Sequence, residues 1–243
     1  MMEEYVKLGL IGRNISYSFS KTFFEEKFSA LKLANLSYSI FDLKEISEVE
    51  EIFNIENLRG FNVTIPYKEQ ILPFLNEISP EAEKIGAVNT VLIKNGKKTG
   101  YNTDAFGFED TLLSHKNSKQ KSALVLGNGG AAKAVKFILE KHGISYQSVF
   151  RTGDVNFENL PEEQVKNHLI IIQCTPVGTF PNVSDCVEFP FEALSAEHLV
   201  IDLIYNPAQT EFLKKAAAQK ATTVNGENML KKQAEKAWEI WNI

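Results

Sequence analysis

Residues Ala123-Leu124-Val125-Leu126-Gly127-Asn128-Gly129-Gly130-Ala131-Ala132 decide the fold of this chain. The four leading apolar residues form a short continuous run of the kind buried on both faces of a parallel sheet. That run delivers a G-x-G-x-x-A pattern, which opens a helix predicted from about Ala131 to Lys141. Gly127 permits the tight turn, Gly129 lets the backbone approach a pyrophosphate, and Ala132 lets helix and strand pack closely. Strand, glycine turn and helix in this order predict a Rossmann-type, dinucleotide-binding layer.

Downstream, a strand over Tyr146–Phe150 ends in Arg151-Thr152. An NAD site would carry an acidic residue about 20 residues beyond the glycines. The cation here suits a 2′-phosphate and hence NADP; the other reading is a surface arginine, and Asp154 close by weakens the electrostatic case. An apolar strand over Leu169–Cys174 stops at Thr175-Pro176-Val177-Gly178, and strand ends in a doubly wound sheet face the ligand crevice. Residues 179–197 read as loop. A strand over His198–Ile204, a helix over Thr210–Gln219 and a last strand over Thr222–Val224 follow. Gly226 opens the final helix, with Met229, Leu230, Gln233, Ala234, Ala237, Trp238 and Trp241 on one face. Gln233 is the polar exception. Burying its amide without partners would cost roughly 2 kcal/mol, so it must meet either backbone or ligand.

Upstream, Val6–Ile11 reads as a strand closed by Gly12, followed by a helical stripe of Phe23, Phe24, Lys27, Phe28 and Leu31. Ser20 is the expected N-cap of that helix. Ser18, two residues earlier, adds a second hydroxyl, and the pair at a helix N-terminus makes a small anion site. A strand over Ser37–Phe41 and a helix over Glu45–Phe53 come next. Gly60-Phe61-Asn62-Val63-Thr64-Ile65-Pro66-Tyr67-Lys68 then alternates like a half-buried strand that Pro66 ends, with a helix expected from there to about Asn76. Lys68 is therefore held just past a rigid strand end. Ser79-Pro80 starts a short helix that Gly86 ends, and Ala87–Ile93 runs into an Asn95-Gly96 hairpin. Asn89 and Asp104 are candidate site residues whose other reading is turn chemistry and helix capping. The alternation of strands and helices makes this half a second α/β layer.

Composition sets the outer limits. With 243 residues and 44% hydrophobic content the chain can bury one large or two modest cores. A net charge of −5 argues against an extended nucleic-acid or anionic-membrane surface. No apolar run approaches the ~20 residues of a membrane span, and Met1-Met2-Glu3-Glu4 lacks the form of a signal peptide. Two cysteines without a CxxC and four scattered histidines predict neither a disulfide framework nor a metal site. A cytoplasmic protein without a metal is expected.

The motifs together resemble the shikimate dehydrogenase family over nearly the whole chain. Residues 60–68 are similar to its G-x-N-V-T-x-P-x-K signature, Gly86–Thr90 to G-A-x-N-T, and Asn102-Thr103-Asp104 to N-T-D. Gly127–Ala132 fits its glycine loop, and Asp202, Tyr205, Asn206, Pro207 and Thr210 fit D-x-x-Y-N-P-x-x-T. Gly226, Met229, Leu230 and Gln233 fit its last helix. The resemblance implies two α/β domains: a substrate domain of residues 1–103 plus 226–243, and an NADP-binding Rossmann-like domain of residues 104–225. It implies interconversion of 3-dehydroshikimate and shikimate with NADP(H), by a monomer or homodimer, with a quinate-using or non-catalytic relative as the alternatives. Lys68 and Asp104 are then catalytic. Ser18, Ser20 and Tyr205 take the substrate carboxylate, and Thr64, Asn89, Asp104 and Gln233 the ring hydroxyls. The cofactor falls to Gly127, Asn128, Gly129, Gly130 and Ala131, to Arg151 and Thr152, and to Thr175, Gly226 and Met229. The chain departs from the family in four places. Tyr17 and Lys21 flank the serines where histidine and proline are usual. A second arginine beyond Arg151 is absent. Lys133 stands for arginine, and Gln173-Cys174-Thr175 replaces an asparagine in the crevice.

Overall fold

A computed structural model describes residues 5–15 and 18–242. It divides into two compact units, one holding the chain up to Thr103 together with Ala234 onward, the other Asp104–Gln233. The second boundary lies inside the last helix, so that helix begins in one unit and ends in the other.

The first unit is built from β1 (Val6–Gly12), α1 (Phe19–Ala30), β2 (Leu36–Asp42), α2 (Val49–Phe53), β3 (Leu58–Val63), β4 (Glu77–Ile78), α3 (Pro80–Ile85), β5 (Thr90–Lys94) and β6 (Lys97–Tyr101). Its six strands lie in the order β2-β1-β3-β5-β6-β4. β1 pairs in parallel with β2 and β3, while β3–β5 and β5–β6 are antiparallel. Asn95 and Gly96, both left-handed, make the expected hairpin turn between β5 and β6. Ser79 caps α3 through the Ala82 amide and Gly86 closes it at φ 71°, as the sequence predicts.

Several local expectations give way to tertiary packing. The N-cap of α1 is Ser18, whose side chain accepts from the Ser20 amide, while Ser20 is buried in the first turn. Leu31 is 52% exposed, because α1 stops at Ala30. β3 is covered on both faces, with Gly60, Phe61, Asn62 and Val63 all buried, so it is not half-buried, and Ile65 beyond its end is 63% exposed. The helix expected before Asn76 is instead a run of turns and one 3-10 turn, Leu72–Phe74. Pro73 accounts for this: it has no amide to donate, and its ring would strike the carbonyl four residues back.

The second unit holds α4 (Thr103–His115, from Asp104), β7 (Ser122–Leu126), α5 (Gly130–Lys141), β8 (Ser145–Val149), α6 (Glu162–Asn167), β9 (Ile170–Gln173), β10 (Leu199–Asp202), α7 (Glu211–Ala218), β11 (Thr222–Val224) and the start of α8 (Glu227–Trp241). Its five strands run β11-β10-β9-β7-β8, all parallel. The chain leaves β7 for β8 on one side and returns to β9 on the other. This order reversal is the switch point at which doubly wound sheets bind ligands, beyond the carboxyl ends of β7 and β9. Residues 179–197 are not idle loop. Phe189 and Phe191 pack edge-on against Phe212 and close the core under β10.

α8 ends in the first unit, where Ala234, Ala237 and Trp241 join the cluster around Leu8, Leu10, Phe24 and Tyr38. The Trp241 indole donates to the Val91 carbonyl at 3.0 Å. A methyl on Gly60 would lie 2.2 Å from that carbonyl and 2.5 Å from the indole nitrogen, so only glycine fits there. Among the described residues no helix is long and apolar enough to cross a membrane, and no cluster of potential metal ligands occurs.

Candidate active site

In the first unit Thr64 and Lys68 follow the end of β3, Asn89 immediately precedes β5, and Ser18 and Ser20 lie at the start of α1. Tyr67 is fully buried and its hydroxyl donates to the Leu43 carbonyl at 2.7 Å, which fixes the turn after β3. The next residue, Lys68, is half-buried, and its carbonyl accepts from the Val88 amide at 2.8 Å. Lys68 is thus seated one residue from Asn89. Thr64 is tied to β1 through its amide and the Ile11 carbonyl at 2.9 Å.

Asn89 is buried and clamps Thr103 from two sides. Its Oδ1 accepts from the Thr103 amide at 2.7 Å and its Nδ2 donates to Thr103 Oγ1 at 3.0 Å. Thr103 opens α4 and immediately precedes Asp104, so the clamp sets where that carboxylate starts. Asp104 is itself buried. The Asn102 amide donates to the Ala87 carbonyl at 2.9 Å and holds the same turn from the other side.

A buried polar chain links this point to α1. Ser20 is a hydrogen-bond partner of the Tyr38 hydroxyl, which donates to Asn62 Oδ1 at 2.8 Å. Asn62 Nδ2 donates to Thr90 Oγ1 at 3.1 Å, and Thr90 Oγ1 donates to Asn89 Oδ1 at 3.2 Å. Burial pushes the Tyr38 phenol far above its ordinary range, so it is a permanent donor. Asn62, Thr90 and Thr103 lie within the sequence motifs but, like Tyr38, carry no predicted site role. The available signal is Asn62, an amide set between the apolar Phe61 and Val63. Ser18, the cap, keeps its own hydroxyl proton for another acceptor, since accepting from Ser20 uses only a lone pair. Tyr17, expected as a departure beside it, lies outside the described residues.

In the second unit the glycine turn has the predicted form. Gly127 sits at φ +115°, and its amide donates to the Val149 carbonyl at 2.8 Å. A methyl on it would approach Thr175 Cγ2 at 3.2 Å, which places Thr175 against the turn. Gly129 is the N-cap of α5 and brings no side chain to its first-turn amides. A methyl built on Gly129 meets nothing within 4 Å. Open space over bare helix amides is what a dinucleotide diphosphate requires, so these residues fit the cofactor that the sequence implies. Ala132 is fully buried against the sheet. Arg151 and Thr152 stand exposed in the turn after β8.

The rest of the crevice is shaped from within. Gln173 is fully buried, donates to the Thr175 and Val177 carbonyls at 3.2 Å each, and accepts from the Thr175 amide at 2.5 Å. The residue that departs from the family pattern therefore builds the loop bearing Thr175. Burial pushes the Cys174 thiol above the usual range, which keeps it protonated. Asp202 is fully buried. It accepts from Thr210 Oγ1 at 2.7 Å and from the Ile204 amide at 3.0 Å, spanning the loop that carries half-buried Tyr205. Burial raises its pKa from 3.8 to about 6, partly offset by those two bonds. A methyl on Gly226 would lie 2.1 Å from the Leu203 carbonyl oxygen, so α8 starts in direct backbone contact with β10's end. Met229 is buried, and Gln233 is buried with one donor on the Leu230 carbonyl at 3.0 Å.

Known proteins carry the same pattern. Residues 10–91 match the sequence model described as the shikimate dehydrogenase substrate binding domain. The shikimate dehydrogenase (NADP(+)) of Desulforamulus reducens is 38% identical over 261 residues, covering 96% of this chain and 88% of the relative. This chain belongs to the shikimate dehydrogenase family. Among solved members, shikimate dehydrogenase from Aquifex aeolicus superposes with a TM-score of 0.88 at 35% identity, over 100% of this chain and 94% of that one. The Thermus thermophilus shikimate 5-dehydrogenase, solved in complex with NADP(H) and shikimate, gives 0.85 at 31% identity, over 97% and 93%. The shikimate dehydrogenase fold thus spans both units.

Proposed function

We propose that this chain is an NADP-dependent shikimate dehydrogenase, reversibly reducing 3-dehydroshikimate to shikimate on the route to chorismate and the aromatic amino acids. The observation that carries the reading is the clamp just before the start of β5. Val88 holds the Lys68 backbone while Asn89 holds Thr103, the residue before Asp104. An amine and a carboxylate are thereby anchored from neighbouring residues of one turn.

When bound, NADPH supplies a hydride to the carbonyl carbon, and oxidation returns it. The protein's task is the proton. Lys68 donates it to the developing alkoxide, or carries positive charge beside that oxygen, and Asp104 orients the amine. Ser18 and Ser20, with Tyr205, receive the substrate carboxylate; Thr64, Asn89, Asp104 and Gln233 receive the ring hydroxyls. Gly127 to Ala131 cradle the diphosphate, Arg151 and Thr152 take the 2′-phosphate, and Thr175, Gly226 and Met229 border the nicotinamide half. We assign residues 1–103 plus 226–243 to the substrate domain and residues 104–225 to the NADP domain. We place the enzyme in the cytoplasm, as a monomer or homodimer.

Steady-state assays with shikimate and quinate, each with NADP and NAD, test the reading. Shikimate with NADP should be the best pair by kcat/KM. A preference for quinate, or NADPH binding without turnover of any pair, would replace it with one of the related activities or with a non-catalytic role.

A further inference from the structure

Lys136 projects from the second turn of α5 back toward the glycine turn, where its Nζ donates to Asn128 Oδ1 at 2.5 Å. That is the one hydrogen bond its ammonium makes among the described residues, and it has no ion pair there. Its surroundings do not balance its charge. Lys133 repels it, Glu140 attracts it only weakly, and the neighbouring Cys174 thiol stays neutral because burial pushes it up. Burial in turn pushes the Lys136 ammonium below the usual lysine value. Lys136 is thus a half-buried cation without an ion pair among the described residues, beside a helix start whose glycine leaves open space.

The bond to Asn128 also has a direction. An ammonium can only donate, so the Asn128 oxygen must face Lys136 and its NH2 must face away. Asn128 is exposed at the mouth of the turn, and the outward amide therefore presents two donors there. Without Lys136 the amide could rotate by half a turn and offer an oxygen, which would repel phosphate.

We infer that Lys136 is a positioning residue of the cofactor site, holding Asn128 in the one orientation that donates to the NADP(H) diphosphate. The inference rests on the proposed function and deepens it. Lys136→Met keeps the aliphatic stem and removes the donor, while Lys136→Arg keeps a donor.

NADPH binding is titrated by its fluorescence into the purified wild-type protein, both variants, Asn128→Ala and the double variant Lys136→Met/Asn128→Ala. Lys136→Met should bind NADPH about three- to tenfold more weakly, the range of one hydrogen bond at a partly exposed site. Lys136→Arg should restore most of that loss, and the double variant should bind no worse than Asn128→Ala alone. In steady state the loss should fall on KM for NADPH and not on KM for shikimate. Wild-type affinity in Lys136→Met, or losses that multiply in the double variant, would overturn the inference. Failure of the wild-type protein to bind NADPH would instead overturn the proposed function.

Discussion

Asp202 offers a sharp test of the packing around the Tyr205 loop. Its carboxyl is fully enclosed, and its two hydrogen bonds do not compensate for lost water, so its pKa rises from 3.8 to about 6. The folded protein therefore retains a proton that the unfolded chain releases. Stability from this group is fully present below about pH 3.8 and is lost as pH rises through about 6. The full difference is about 3 kcal/mol, of which about 2 kcal/mol falls between about pH 4.5 and about pH 7.5. In Asp202→Asn the group no longer titrates. An asparagine can still accept from the Ile204 amide and can reverse its bond with Thr210. Urea denaturation of both proteins across that pH range isolates the effect, because other titrating groups cancel in the difference. The wild-type protein should lose about 2 kcal/mol relative to the variant as pH rises, and the variant should match or exceed it in stability at the upper end. A difference that stays flat with pH would refute the reasoning, as would one that grows in favour of wild type.

Two further substitutions probe the site's halves. Asn89→Ala strips partners from the Thr103 amide and hydroxyl and from Thr90, all buried, and should cost about 2–4 kcal/mol in urea denaturation; stability within about 0.5 kcal/mol of wild type would mean the clamp is incidental. Gly129→Ala adds a methyl that meets no protein atom within 4 Å, at an ordinary φ of −82°. Its stability should stay within about 0.5 kcal/mol of wild type while NADPH affinity falls by about tenfold or more. Unchanged affinity would place the diphosphate elsewhere.

The nucleotide half was legible because its signals are local. An apolar run, glycines at fixed offsets and a helix start are all read within Ala123–Ala132, and the parallel sheet follows from them. The caps at Ser79 and Gly86 and the Asn95-Gly96 turn are likewise short-range chemistry. What escaped depends on partners distant in sequence. Ser20 reads as a cap by position, yet Tyr38 takes its hydroxyl and Ser18 does the capping. Asn62 alternates like a solvent-facing residue, yet β5 and Tyr38 enclose it. Residues 179–197 lack any period, but Phe189 and Phe191 find Phe212 across the core. Gln173 looks like a lost ligand contact and proves to be the brace of the Thr175 loop. Pro73, in contrast, was a visible breaker inside the expected helix, and its local rule outweighed the apolar pattern.

The central claim concerns the proton, and Lys68→Ala tests it most directly. Turnover of shikimate with NADP should fall by at least about a thousandfold, the scale of a lost acid–base group, while calorimetric titration shows shikimate affinity changed by less than about fivefold. Near-normal turnover in a correctly folded Lys68→Ala protein would contradict the account.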